Sequence, residues 1–121
     1  RNPREIAQLP PPRNVEAACK GIKGRYGSHN IHMSRPTPNA AKLTQTVVAA
    51  LFAGGVRVYS IADPKKPVEI GSFVPEAPPR SAMGVTQIND VYVDEKGLIY
   101  AADRNSGGVY ILEYTGTPAL R

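Results

Sequence analysis

The chain has 121 residues, with eleven Gly, twelve Pro, no Trp and only 7% aromatic residues. That composition argues against a helical bundle and for one turn-rich β domain. The formal charge is +5, and no apolar run approaches the ~20 residues that a membrane helix needs. Residues 1–42 hold eight Lys/Arg against Glu5 and Glu16, or +6, and the remainder sums to −1. A basic first third suggests an acidic partner or an anionic ligand, with a solvated basic surface as the plain alternative. Nucleic acid is disfavoured, because the basic residues are scattered and only Tyr26 lies among them as a stacking platform.

In chain order, Leu9-Pro10-Pro11-Pro12 cannot lie in a central strand, since Pro lacks the ladder donor. It reads as the exit from an edge strand over residues 4–9. Residues 13–28 read as a long loop spaced by Gly21, Gly24 and Gly27, with one helical turn over Glu16–Lys20 capped by Asn14. Cys19 is the single cysteine, so it is a free thiol or pairs with another chain. No signal peptide is visible, and no initiator Met either, so a processed product or a cut piece is expected.

Short period-two runs follow. Val56 and Val58 share one face, with Arg57, Tyr59 and Ile61 on the other; Val91 and Val93 alternate with Tyr92; Tyr110, Leu112 and Tyr114 alternate with Val109, Ile111 and Glu113. Gly54-Gly55, Glu95-Lys96-Gly97 and Ser106-Gly107-Gly108 supply the turns.

An internal repeat sets the architecture. Pro3-Arg4-Glu5-Ile6-Ala7 matches Pro67-Val68-Glu69-Ile70-Gly71, 64 residues later. Gly54-Gly55-Val56 matches Gly107-Gly108-Val109, 53 residues later, and His29-Asn30-Ile31 roughly matches Asn89-Asp90-Val91, 60 residues later. An insertion around residues 36–42 accounts for the unequal offsets. One repeat then reads as four strands, beginning at His29 and continuing over Thr46–Ala53, Val56–Ile61 and Val68–Val74. The second copy begins at Asn89 and continues over Leu98–Ala102 and Val109–Tyr114, without a fourth strand.

The expected fold is therefore all-β: an incomplete β-propeller of about two four-stranded blades. Residues 1–12 are the outer strand of a preceding blade, 13–28 a loop, 29–75 a complete blade, 76–88 a connection and 89–121 three strands of the last blade. Two blades leave large apolar faces open, so the expected partners are other blades, from another chain or from further copies of this one.

The runs Gly54–Pro64, Pro67–Gly71, Asn89–Asp94, Gly97–Arg104 and Gly107–Tyr114 together resemble the LVIVD-repeat family, over nearly the whole chain. The resemblance implies the C-terminal third of a roughly seven-bladed propeller, and a secreted or periplasmic location. It also implies a distant similarity to the selenium-binding propellers, some of which are metal-dependent oxidases.

Chemistry concentrates on Ser28-His29-Asn30-Ile31-His32, which holds both histidines of the chain. Imidazole is a common metal ligand and a general base near neutral pH. On a strand, residues i and i+3 point to opposite faces. One histidine is thus expected at the channel mouth and the other packed between blades, or both serve as structural histidines bonding backbone. His29 and Asp90, at equivalent places in the two copies, are the candidate catalytic pair. His29 and His32 are the candidate ligands of a transition metal shared with residues elsewhere. Asp90 alternatively ties off loop N–H groups. Asp103-Arg104 reads as an ion pair between blades, and Cys19 beside Lys20 and Lys23 as a remote candidate nucleophile. The function expected is a propeller that binds a ligand or partner at its channel mouth, as a metal-dependent enzyme or as a non-catalytic interaction module.

Overall fold

The computed structural model describes residues 2–13, 15, 19–35, 37–105 and 107–120. The proposed helical turn over residues 16–20 and its Asn14 cap fall mainly outside these. The named elements are six strands: β1 Thr46–Ala50, β2 Val56–Ser60, β3 Val68–Phe73, β4 Ile88–Val93, β5 Leu98–Asp103 and β6 Gly108–Glu113. They form two antiparallel three-stranded sheets, β1-β2-β3 and β4-β5-β6. No helix among the described residues is long and apolar enough to cross a membrane.

The sheets have three strands where four were expected. The segment beginning at His29 meets β1 only through an Ile31–Ala49 bridge. Backbone hydrogen bonds from His29 N to Ala50 O, Ala50 N to Asn30 O and His32 N to Val48 O hold it alongside β1. It then turns away, with Arg35 N bonding Met33 O. The expected edge strand over residues 4–9 has no strand pairing either. β1 also stops earlier than expected, because Phe52 takes a left-handed backbone with φ of 45°. Gly54 N then bonds Leu51 O and Gly55 N bonds Phe52 O, closing the turn into β2.

The core lies where one face of each sheet meets the other. Val48, Ala50, Val56 and Val58 of the first sheet pack with Ile88, Val91, Val93, Ile99 and Ala101 of the second. Ala41 and Leu120 complete the cluster, with Ile70, Tyr110, Leu112 and Tyr114 half-buried against it. Val48, Val56, Ile88 and Val93 are among the most deeply buried side chains. Each contributes roughly 1.5–3 kcal/mol relative to exposure. The opposite face of the first sheet carries a smaller cluster of Ala49, Leu51 and Tyr59 with Val47.

The two copies of the repeat do not use the same face. Val56 and Val58 are buried between the sheets, whereas their equivalents Val109 and Ile111 are each 64% exposed. Conversely, Tyr110 and Leu112 face the shared core, and their equivalents Arg57 and Tyr59 face away from it. The sheets therefore stack head to tail, the front of one on the back of the next.

Gly55 and Gly108 occupy equivalent positions, and both are left-handed, at φ 72° and 73°. A Cβ on Gly55 would lie 2.2 Å from the Phe73 carbonyl oxygen and 2.9 Å from Val74 Cα, whereas one on Gly108 would meet nothing within 4 Å. Gly55→Ala is expected to cost about 3 kcal/mol, combining backbone strain with a clash against β3. Gly108→Ala should cost about 1 kcal/mol, from strain alone. Urea midpoints of the two variants check the difference.

Candidate functional site

β4 is an edge strand, and an open edge presents unpaired backbone groups. Here that edge is closed by the 29–41 segment, and two rungs are histidine side chains. At one end Phe52 N donates to Ile88 O at 2.7 Å and Ile88 N to Phe52 O at 3.1 Å. At the other end Ala41 N donates to Val93 O at 3.0 Å, and Glu95 N to Asn39 O at 2.8 Å. The insertion around residues 36–42 thus works partly as an edge cover.

His32 is the inner rung. Its Nδ1 accepts from Val93 N at 3.1 Å, which requires a lone pair there. Its Nε2 lies 2.9 Å from the Ala41 carbonyl oxygen, so that nitrogen carries the proton and donates. The ring is 7% exposed and stands edge-on to Tyr92. Both nitrogens are committed to neutral hydrogen bonds, leaving no lone pair for a metal in this arrangement. The geometry gives His32 the work of joining β4 to the 29–41 segment.

His29 is the outer rung. Its Nδ1 lies 2.7 Å from the Asn89 carbonyl oxygen, so Nδ1–H donates. That fixes the tautomer and leaves the Nε2 lone pair without a partner among the described residues. A bulge between Ile88 and Asp90 frees the Asn89 carbonyl from the β4–β5 ladder. His29 is exposed, and its ring stands edge-on to Phe52 at 4.9 Å. The other side of the Phe52 environment is cationic, with the Arg25 guanidinium 5.6 Å from the ring centroid.

Asp90 is exposed on β4, next to the residue whose carbonyl holds His29. One of its oxygens accepts from Val91 N at 2.9 Å. No hydrogen bond joins Asp90 to His29 among the described residues. The segment thus brings His29, Asp90, Phe52 and Arg25 to one end of the inter-sheet seam. The described residues contain no group of three or more His, Cys, Asp or Glu able to hold a metal ion.

Three residues that matter here were not singled out in the sequence. Phe52 is the platform under His29, and nothing in an apolar run announces a left-handed Phe. Gln87, 1% exposed, accepts from Arg25 N at 3.0 Å through Oε1 and donates to Arg25 O at 3.1 Å through Nε2. Its side chain behaves as one more peptide group and ties the backbone at Arg25 to the segment entering the second sheet. Gly24 lets the two approach closely: a Cβ there would lie 2.5 Å from Gln87 Nε2 and would push that side chain off its bonds to Arg25. Thr86 completes the set by donating to Asp103.

Asp103 corrects the expected ion pair with Arg104. The only ion pair among the described residues is Arg57–Glu69, at 3.1 Å. Asp103 instead accepts from Thr86 Oγ1 at 2.6 Å, Gln87 N at 2.9 Å and Asn105 N at 2.7 Å. Burial pushes its pKa up, but the bonds from Thr86, Gln87, Asn105 and Gly107 outweigh it, and the net pKa is lowered. Cys19 is exposed and unpaired, at the rim of a cavity of about 660 Å³. The Leu9–Pro12 segment, Tyr26, Ile31, Leu51 and Tyr59 form much of its wall.

Searches against family models, curated proteins and solved structures find no match to this chain.

A carboxylate with a depressed pKa stabilises the fold above its unfolded pKa, near 4, and that contribution fades as pH falls through the folded value. Asp103→Asn is therefore expected to lower stability at pH 7 and to flatten the loss of stability as pH falls below about 4. Urea midpoints across that window check it. Asp94 is also lowered, against a burial effect, by bonds from Leu98, Tyr100 and Lys96.

Proposed function

We propose that the chain is part of a β-propeller of the LVIVD-repeat kind. In this reading each three-stranded sheet is a blade; the His29 segment lies beside β1 in place of the first blade's innermost strand, and the second blade lacks its outer strand. The assembly binds a ligand at the channel mouth, through His29 with Asp90 beside it. One observation carries the reading: of the two histidines, only His29 is exposed, and it holds its Nε2 lone pair open on a ring anchored at Nδ1.

A ring nitrogen anchored in this way is the arrangement that metal-ligating histidines use. The same lone pair also accepts a proton or a hydrogen bond from an organic ligand. A transition metal at His29 would take its other ligands from blades beyond these two. The Arg25 guanidinium nearby suits an anionic group on the ligand. The second reading is a non-catalytic interaction propeller, favoured by the exposed Lys20, Lys23 and Arg25 on one loop, which suit an acidic partner. Both readings fit the secreted or periplasmic setting that the family resemblance implies.

The test is elemental analysis of the assembled protein, followed by Zn²⁺ titration, for the native chain and two variants. The expected outcome is bound metal that His29→Ala removes, with a smaller loss of urea midpoint than His32→Ala because the lost Asn89 bond is exposed. His32→Ala should instead lower stability by about 2 kcal/mol, since it orphans Val93 N–H and Ala41 C=O. Metal retained in full by His29→Ala would overturn the site. An assembly that takes up no metal would move the function to the interaction reading.

A further inference from the structure

The outer edge of β6 is unpaired among the described residues, and the strand carries two highly exposed apolar side chains. Val109 and Ile111 stand 64% exposed on it, with Tyr92 and Tyr100 continuing the same face on β4 and β5. Long apolar edges of this kind are normally paired or covered.

The internal repeat says what fits there. β6 is the equivalent of β2, and β2 is paired on that side by β3. The segment matching β3 in sequence is Arg4–Leu9, 64 residues earlier. In this structure that segment runs outside any strand, with Ile6 55% and Leu9 39% exposed. Among the described residues its only side-chain bond is the local one from Gln8 to Glu5. It leads into Pro10, Pro11 and Arg13, which lie beside Pro67–Gly71 at the far edge of the first sheet.

We infer that β6 is a docking edge for the N-terminal segment of a second copy of this chain, which adds as an antiparallel fourth strand. The inference rests on the repeat-blade reading given above and adds the partner, the strand and the register. The β2–β3 pairs Val56–Phe73, Val58–Gly71, Tyr59–Glu69 and Ser60–Val68 transfer directly. They place Leu9 opposite Val109, Ala7 opposite Ile111, Glu5 opposite Leu112 and Arg4 opposite Glu113. The two most exposed valine and isoleucine side chains thereby gain apolar neighbours, and an Arg meets a Glu across the strands. Pro3 and Pro10 bound the segment, as an outer strand permits. The open space over Gly108 is where the incoming residue 9–10 backbone would run, as residues 73–74 run over Gly55.

The stacking polarity lets one copy both donate and receive a strand. Because the sheets stack head to tail, a copy that donates its Arg4–Leu9 strand to one neighbour has its own β6 free for another, or for the same neighbour in return. Such a contact closes into a ring when the rotation allows.

The experiment is disulfide trapping in a Cys19→Ser background. Arg4→Cys and Glu113→Cys are made in separate preparations carrying different tags, mixed, and oxidised mildly. The expected product is a mixed dimer of twice the 13.0 kDa chain mass. Glu5→Cys mixed with Glu113→Cys should give little product, because adjacent strand positions point to opposite faces. Size-exclusion chromatography with light scattering on the untagged chain reads assembly independently of any cysteine. An oligomer without the 4–113 link, or with the 5–113 link at equal yield, overturns the strand docking while leaving the blade reading standing. A monomer at tens of micromolar that forms no mixed dimer overturns both.

Discussion

Everything in this structure hangs on how the edge of β4 is closed. A strand edge left open on its inner side would expose unpaired N–H and C=O groups next to the core. No strand lies there. Instead Phe52 and Ala41 supply backbone bonds at the two ends, and His29 and His32 reach across between them. His32 does two jobs with one ring, accepting from Val93 N–H and donating to Ala41 C=O. Both of its bonds are buried, so losing the ring would leave a donor and an acceptor unpaired together.

That seam also decides which residues are available for chemistry. The two histidines lie three apart, so one side chain turns into the seam while the other stays at its mouth. The bulge at Asn89 turns a carbonyl towards His29 and fixes its tautomer, leaving Nε2 outward. Phe52 adds the platform, and its left-handed backbone is the strained element that puts the ring there. On the far side, Gln87 and Asp103 hold the connection before β4 and the long 13–28 loop in place. The site and the fold are thus supported by the same hydrogen bonds.

Much of this was legible in the residues. Alternation at Val56–Tyr59, Val91–Val93 and Val109–Leu112 placed strands where the sheets have them, and the Gly-Gly pairs placed the turns before β2 and β6. His32 is buried and His29 exposed, but both rings bond backbone groups of β4, which is the structural role the sequence also offered for the pair. What the residues did not show has physical reasons. The His29 segment looked like a full strand, because periodicity cannot tell a strand from a bridge whose pairing is taken over by side chains. Asp103 looked like an ion-pair partner of its neighbour Arg104, because sequence adjacency carries no information about Thr86 and Gln87, which reach it from 17 and 16 residues away. Gln87 imitating a peptide group leaves no pattern at all.

Native-state hydrogen exchange at the seam tests the account most directly. If the histidine rung holds the sheets together, the Ile88 and Val93 amides should exchange as slowly as interior amides of β2 and β5, and His32→Phe should speed Val93 selectively. Seam amides that exchange on the timescale of the exposed loops in the native chain, or a Val93 amide indifferent to His32→Phe, would contradict it.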